Sequence, residues 1–573
     1  MSELSDRIAA ARGDAPADLL LTNCSLVNVY TGEIYPTEVA ITGEYIVGIG
    51  PGYEAKETLD LGGRYLCPGF INAHVHVESS MAIPTEFARA VVPRGTTTAV
   101  SDPHEIANVC GLDGIRYMLD VADHAPMSIF SNAPSCVPAT HMSTAGATLE
   151  AEDLRSLHDD PRVPGLAEMM NFPGIIYAVP EVLAKVEAYA DRPVDGHAPG
   201  LSGKELNAYV AAGIGSDHEC STAAEALDKL RLGMRVLIRE GTVARDMAAL
   251  LSAVTPENAR RCCFCTDDRH PADLLDEGDL DVLLRAAIAG GVEPVTAIRM
   301  ATLNTAEWFR LWDRGAIAPG KRADLVVFSD LADLRAEQVF VGGQLVAQDG
   351  EMVVGRSAAP VDDAAVRSSV RVNWETLDLR VPAQGTRMRV IGAAGDQVIT
   401  ESRTLAPTVR EGLVVADPER DLLKMAVIER HRGTGNVGLG FVQGVGLKRG
   451  AIATTVCHDH HNLVVIGVDD TSMLTAARAV AAMGGGEVVA EGDRVLGSLA
   501  LPIAGLMSDR PVEEVRQGHD AVLRSASADL GCSLHDPLMT MSFLALEVIP
   551  SLKLTDQGLV DVEQFALVDL WVE

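Results

Sequence analysis

Pro68-Gly-Phe-Ile-Asn-Ala-His-Val-His76 decides how the rest of the chain is read. Its apolar body reads as a buried strand, and its tail carries imidazoles at i and i+2. Those two positions face the same side of a strand, so His74 and His76 point together at its end. Two imidazoles placed this way can share one cation. A pair of surface histidines at a strand end fits the motif equally well, so the decision rests on the surrounding sequence.

Outward from this run, between Arg64 and about Gly315, short apolar stretches end in polar residues and are followed by helical segments. Eight such strands can be placed. Their tails are His74-Val-His76, Ser101-Asp102, Ser131-Asn132, Glu168, His197, Asp217-His218, Arg239-Glu240 and Thr266-Asp267. Helices are predicted over Thr85–Val92, Glu181–Tyr189, Gly203–Ala212 and Ala223–Leu232. Repeated strand–helix units imply a parallel sheet. Eight of them predict an α/β fold built on a (β/α)8 TIM-like barrel over residues 67–315, with its active face at the strand C-termini.

Residues 1–66 open with a short helix over 4–12 and continue with strands and turns, as in Glu38-Val-Ala-Ile-Thr-Gly-Glu-Tyr-Ile-Val. Residues 316–360 return to strand character. The two segments are expected to form one small composite β domain into which the barrel is inserted. Ser357–Ser369 reads as a linker, and 370–573 as a C-terminal α/β domain. In that domain, helix Ser472–Met483 is expected to bury Leu474, Ala477, Val480 and Ala481.

Composition narrows the function. The 573 residues carry 47 basic and 80 acidic side chains, a net charge of −33. A surface so acidic repels phosphate, which argues against nucleic acid or an anionic membrane as partner. The ten cysteines show no framework spacing and read as reduced thiols of a cytoplasmic protein. The first residues have no signal-peptide pattern, and no apolar stretch reaches the ~20 residues that span a bilayer.

Three motifs lead elsewhere. His76-Val-Glu78 matches the H-x-E half of the zinc cytidine-deaminase signature, but the P-C-x-x-C half is missing. Gly433-Thr-Gly-Asn-Val-Gly438 matches G-x-G-x-x-G, but more glycines follow where a dinucleotide site needs a helix. His458-Asp-His-His461 looks metal-like; it reads as polar packing against the barrel mouth or a subunit interface, or as a lid.

Ligand types at other strand ends favour the metal reading of His74 and His76. Glu168, His197, His218 and Asp267 complete four imidazoles and two carboxylates, enough for two cations.

The matching runs are Pro68–Met81, Ser-Asp-Pro-His-Glu-Ile-Ala-Asn-Val (101–109), Glu-Met-Met-Asn-Phe-Pro-Gly (168–174), Asp-Gly-His-Ala-Pro (195–199), Ser-Asp-His-Glu (216–219) and Thr-Asp-Asp-Arg-His-Pro (266–271). In this order they resemble the amidohydrolase superfamily and, within it, the bacterial adenine deaminase family, over nearly the whole chain. The resemblance implies hydrolysis of adenine to hypoxanthine and ammonia by a metal-bound hydroxide attacking C6. It assigns His74 and His76 to the more buried of two divalent metals, and His197 and His218 to the other. Glu168 stands where many relatives carry a carbamylated lysine. Asp267 would bind metal and accept a proton from the bridging water. Glu105, Glu219 and Asp102 are candidates to protonate the purine ring, and each also fits a helix cap or a partner behind the ligands. His104 is a candidate for substrate or an extra metal, and His270 for a supporting role. Mn2+ or Fe2+ is implied, with Zn2+ compatible, as is a homo-oligomer, dimer or tetramer. Another amidohydrolase activity (guanine or cytosine deaminase, cyclic amidase) and a non-catalytic scaffold are the competing readings.

Overall fold

The computed structural model describes residues 3–357, 361–393 and 399–572. Residues 358–360, which belong to the expected linker and end the expected small β domain, lie outside the described residues.

A nine-stranded sheet frames the entry to and exit from the central fold. Its first strand, Ala17–Asn28, pairs with Glu33–Thr42, Ala55–Asp60 and Tyr65–Pro68. Tyr65–Pro68 in turn pairs antiparallel with Leu325–Phe328, so strands from far apart in the chain lie side by side. Between them run Phe70–His76, Thr96–Ser101, Ser128–Ser131, Leu166–Met169, Val194–Gly196, Ser216–Asp217, Arg235–Arg239 and Cys262–Cys265. Neighbours in this series pair in parallel. Bridges through Ala133 to Leu166 and from the Gly215 N–H to the Val194 carbonyl join the segments. The short strand Asp267–Asp268 pairs with Val75 and His76 and closes the barrel.

Local chemistry explains the alternation. Helices Pro84–Val91 and Pro180–Ala188 start with proline, whose fixed φ and missing N–H suit the first helical turn. The Thr222 hydroxyl caps Ala223–Arg231 by accepting from the Glu225 N–H at 3.3 Å. Gly95, at φ 99°, turns the chain into Thr96–Ser101, and a Cβ there would lie 2.7 Å from the Phe70 ring.

Two layers of core hold the barrel. Phe70 and Val75 pack outward with helix residues such as Phe87, Val91 and Leu284. Ile71 and Ala73 pack inward with Val100, Leu237, Cys263 and Cys265. The triple cysteine run is therefore buried strand.

Eight strands between Met388 and Ala500 form one sheet, antiparallel except where Met388–Ala393 pairs with Val437–Gln443. Helix Asp470–Ala482 covers one face, and helix Val512–Ala528 packs with the other. The expected buried stripe of the first helix needs correcting. Ser472, Met473, Ala476, Ala477 and Val480 are buried, whereas Leu474 and Ala481 are only half-buried. The helix is apolar on most of its circumference, so periodicity does not select a face and the sheet does. The Gly433–Gly438 run leads into the strand Val437–Gln443 rather than a helix, which leaves it no phosphate-binding geometry.

The C-terminal region and the barrel share core. Met81 of the barrel joins the cluster that contains Leu423, Val427 and Val464. Ile503, Leu506, Met507 and Val512 join the barrel's outer cluster.

Candidate metal centre

The strand Phe70–His76 sets up the site through a break in its alternation. Ile71 and Ala73 face the interior, yet His74 and His76 do as well. The ladder to the next strand shifts register between Asn72 and Val75, as a bulge does when it re-aims side chains. The Asn72 side chain fills the gap. Its Oδ1 accepts from the His74 and Thr266 N–H groups at 3.4 and 3.3 Å, and its Nδ2 donates to Thr266 Oγ1 at 2.7 Å.

His74 Nε2 and His76 Nε2 are 3.2 Å apart, and both face Asp267 Oδ1, at 3.3 and 3.1 Å. His76 Nδ1–H donates to the Asp102 carbonyl at 3.0 Å, which leaves Nε2 as the lone-pair nitrogen. Lone pairs do not hydrogen-bond each other. A cation among these three atoms satisfies all of them, so the residues fit a metal.

Glu168 joins this group to a second one. Its Oε1 lies 3.3 Å from His76 Nε2 and 3.8 Å from His74 Nε2. Its Oε2 lies 2.5 Å from His197 Nδ1 and 3.2 Å from His218 Nε2. One carboxylate thus offers an oxygen to each imidazole pair. The His74 and His218 rings stack at 4.2 Å between centroids. His218 Nδ1 is buried with no hydrogen-bond partner among the described residues.

Supporting contacts fix the second pair. Tyr209 Oη accepts from the His197 N–H at 3.0 Å and donates to the Met169 carbonyl at 2.8 Å. Asp217 Oδ1 accepts from the Ala198 N–H at 2.8 Å. Lys229 Nζ, wholly buried, bonds Asp217 Oδ2 and the Ala198 carbonyl, each at 2.8 Å, and Glu225 at 2.9 Å.

Asp267 sits at φ 57°, a conformation that costs most non-glycine residues about 1–3 kcal/mol and clusters at functional sites. The turn lets Oδ1 face the histidines while Oδ2 accepts from Arg239 Nη1 at 2.9 Å. Burial works to raise the Asp267 carboxyl, but Arg239, His74 and His76 outweigh it and hold it well below the usual range. Arg239 also pairs with Glu219, and with Asp246 at 3.1 Å. Its place at a strand tail was visible in the sequence, but guanidinium is no metal ligand and its partners come from three other segments.

The three ring-acid candidates separate by their partners. Glu219 is ion-paired with Arg239 and lies 3.4 Å from His218 Nε2. Asp102 Oδ1 accepts from the His104 N–H at 3.1 Å, and its Oδ2 faces His104 Nδ1 at 3.2 Å. Glu105 receives two imidazoles from the C-terminal region, His458 Nδ1 on Oε1 and His461 Nε2 on Oε2. Burial favours a neutral Glu105, yet His458, His461 and His104 hold it well below the carboxylate range. Glu105 in turn leads the carboxylates that push His458 up to about 10 against its own burial. The pair therefore favours an ionised Glu105 carboxylate beside a protonated His458.

His104 bridges the two parts of the site. Its Nδ1 is 3.5 Å from Glu168 Oε1, and its Nε2 is 3.7 Å from Glu105 Oε1 and 3.6 Å from Asp459 Oδ1. Glu78, the residue of the H-x-E match, accepts from the Ile106 N–H at 3.2 Å, and burial pushes it up to about 7. The His458–His461 run, read above as packing, an interface or a lid, packs against the barrel end of its own chain, on Glu105 and beside His104. His270 stands apart from the six-ligand cluster, beside His519 and Asp536.

Comparison with known proteins came out the same way at both ends of the chain. Residues 65–346 match the amidohydrolase family, and residues 397–566 the adenine deaminase C-terminal domain. An adenine deaminase of Desulfatibacillum aliphaticivorans is 52% identical over 566 residues, covering 98% of this chain and 99% of its own. Adenine deaminase 2 of Carboxydothermus hydrogenoformans is 49% identical, with 99% of each chain covered. An adenine deaminase of Cereibacter sphaeroides is 51% identical, covering 98% of this chain and 99% of its own.

Proposed function

Since the chain belongs to the adenine deaminase family of amidohydrolases, we propose that it hydrolyses adenine to hypoxanthine and ammonia at the barrel mouth. The observation that carries this reading is the end-to-end likeness, which includes the C-terminal region whose histidines grip Glu105.

In this reading His74, His76, Asp267, His197, His218 and Glu168 would hold two divalent cations, the first three at one position and His197 with His218 at the other, with Glu168 facing both groups. When bound, the cations supply the polarisation that makes water nucleophilic near neutral pH. The chain's own groups manage the protons. Asp267, kept ionised by Arg239, takes a proton at Oδ1 from the attacking water. The ring nitrogen next to C6 gains a proton as C6 becomes tetrahedral, and Glu105 with His458 is the donor pair, with the proton on the imidazole, whereas Glu219 is engaged by Arg239. The leaving amino group takes its proton from Asp267 and departs as ammonia, and the C6 hydroxyl proton, released as the carbonyl forms, passes to Asp267 and restores the proton that the Glu105–His458 pair gave to the ring.

Nitrogen and oxygen donors suit manganese, iron and zinc alike. We expect Mn2+ or Fe2+ to serve best, in a homo-oligomer that is a dimer or a tetramer. No described helix is long and apolar enough to cross a membrane, in keeping with a cytoplasmic site of action.

The test is a panel of adenine, guanine, cytosine and dihydrouracil with protein reconstituted separately with Mn2+, Fe2+ and Zn2+, read by ammonia release for the three amino-bearing bases and by formation of the ring-opened ureido acid for dihydrouracil. Turnover of adenine alone is the expected result. Turnover of another base with adenine inert would replace the reading.

A further inference from the structure

A second convergence of imidazole and carboxylate lies away from the barrel mouth, where the barrel meets the C-terminal helices. His270 follows the strand Asp267–Asp268 and precedes helix Pro271–Asp276. His519 lies in helix Val512–Ala528, and Asp536 caps helix Pro537–Leu544. His270 Nδ1 and His519 Nε2 lie 3.8 and 4.0 Å from Asp536 Oδ2. The three ligand atoms all fall within 4.8 Å of one another. The imidazoles are 8% and 3% exposed, and their rings meet edge-on at 5.6 Å.

Two further contacts show that these groups are held in place. Asp536 Oδ1 accepts from the Met539 N–H at 2.9 Å, which fixes the carboxylate and leaves Oδ2 for the cluster. Behind His519, Glu487 Oε2 stands 2.9 Å from Nδ1. A carboxylate paired this way takes the Nδ1 proton and aims the Nε2 lone pair forward, as the partners behind metal-ligating histidines do. Glu487 is 1% exposed, and its other oxygen has no hydrogen-bond partner among the described residues. The cluster lies on the wall of a cavity of about 660 Å³. Arg245, a cation on the same wall, is engaged by Asp273 and Glu277.

We propose that His270, His519 and Asp536 form a further divalent transition-metal site that clasps the last barrel loop to the C-terminal helices. Ligand atoms about 2.0–2.1 Å from a tetrahedral ion stand roughly 3.4 Å apart, so the 3.8 and 4.0 Å separations close by about half an ångström and the imidazole–imidazole one, within 4.8 Å, by about 1.4 Å at most. Two nitrogens and one oxygen suit zinc or its neighbours. The fourth position opens on the cavity and takes water. This site is independent of the deaminase reading, because none of its ligands belongs to the barrel-mouth cluster.

The test counts zinc in full-length protein stripped with chelator, reloaded with Zn2+ and gel-filtered. The double variant Asp536→Asn/His519→Gln removes the anion and one imidazole, while asparagine keeps the cap on Met539. It is expected to hold one equivalent fewer per chain than the native protein. Equal zinc content overturns the proposal. If the double variant does not fold, His270→Gln, on the other side of the junction, must show the same loss of one equivalent, and an unchanged count there overturns the proposal too. The closing readout is thermal: zinc should raise the native unfolding temperature further than that of the variant.

Discussion

Asp267→Asn removes a charge and almost no volume, so it isolates what the charge does. Asp267 has one oxygen facing His74 and His76 and the other accepting from Arg239. An amide satisfies only one side. With its oxygen towards the histidines, its NH2 meets the Arg239 guanidinium, donor against donor. In the other rotamer, the NH2 faces two lone-pair nitrogens that are meant for metal. The first rotamer costs less, because Arg239 keeps Glu219 and Asp246. Metal binding is then retained, and the lost charged hydrogen bond destabilises the fold by about 1.5–3 kcal/mol at most. What disappears is the proton acceptor. General acid–base catalysis is worth about 10²–10⁴-fold, which at about 1.36 kcal/mol per decade is roughly 3–5 kcal/mol of barrier. The expected result is a fall in kcat of that size, with KM for adenine changed only slightly and metal content unchanged. The assay follows adenine absorbance and ammonia, beside elemental analysis of the same sample. A kcat close to native with metal retained would refute the assignment of Asp267 as proton acceptor.

Glu105→Gln leaves His458 and His461 facing an amide that holds no exchangeable acid; kcat is expected to drop by about 10²-fold or more, and a native rate takes Glu105 out of the proton path. Lys229→Met strands the buried Asp217 carboxylate and is expected to cost about 3–5 kcal/mol in denaturant unfolding; a cost near zero would mean that the pair does not hold the His197 and His218 loops. The same pair predicts an acid limb. Burial works to raise Asp217, but Lys229 and His218 outweigh it and lower its pKa, so its stabilisation is present above the ordinary carboxylate value of about 3.9 and is lost as pH falls through the depressed folded value. Metal loading should release protons: in the metal-free site Glu168 pushes His218 up to about 9 despite burial, so the heat of Mn2+ binding at neutral pH should depend on the buffer's ionisation enthalpy, and buffer-independent heat would contradict that protonation.

What could be read in the sequence follows the range of the interactions. His74, His76, Glu168, His197, His218 and Asp267 each end a short apolar run, so their convergence follows from the barrel alone, and the structure brings all six together. The bulge at Asn72 was hidden, because alternation reads as intact from His74 to His76 and the break lies just before. Arg239 was named only as a strand tail; its three acidic partners become neighbours only after folding. Glu105 was one of three equal candidates, and its partners lie 353 and 356 residues away. No local pattern reports a contact at that separation, while the His458–His461 cluster that makes it reads by itself as generic polar packing.

The 353 residues between Glu105 and His458 also set a clock. A ribosome adding about 5–20 residues per second needs roughly 18–70 s to cover that distance. Over the last 191 of those residues, from Asp267 to His458 and roughly 10–38 s, the nascent chain already carries all six proposed ligands, while Glu105 has neither imidazole. If the roles proposed above hold, metal could be captured before the proton donor is complete. Such a chain would be metal-loaded but silent until its own tail arrives.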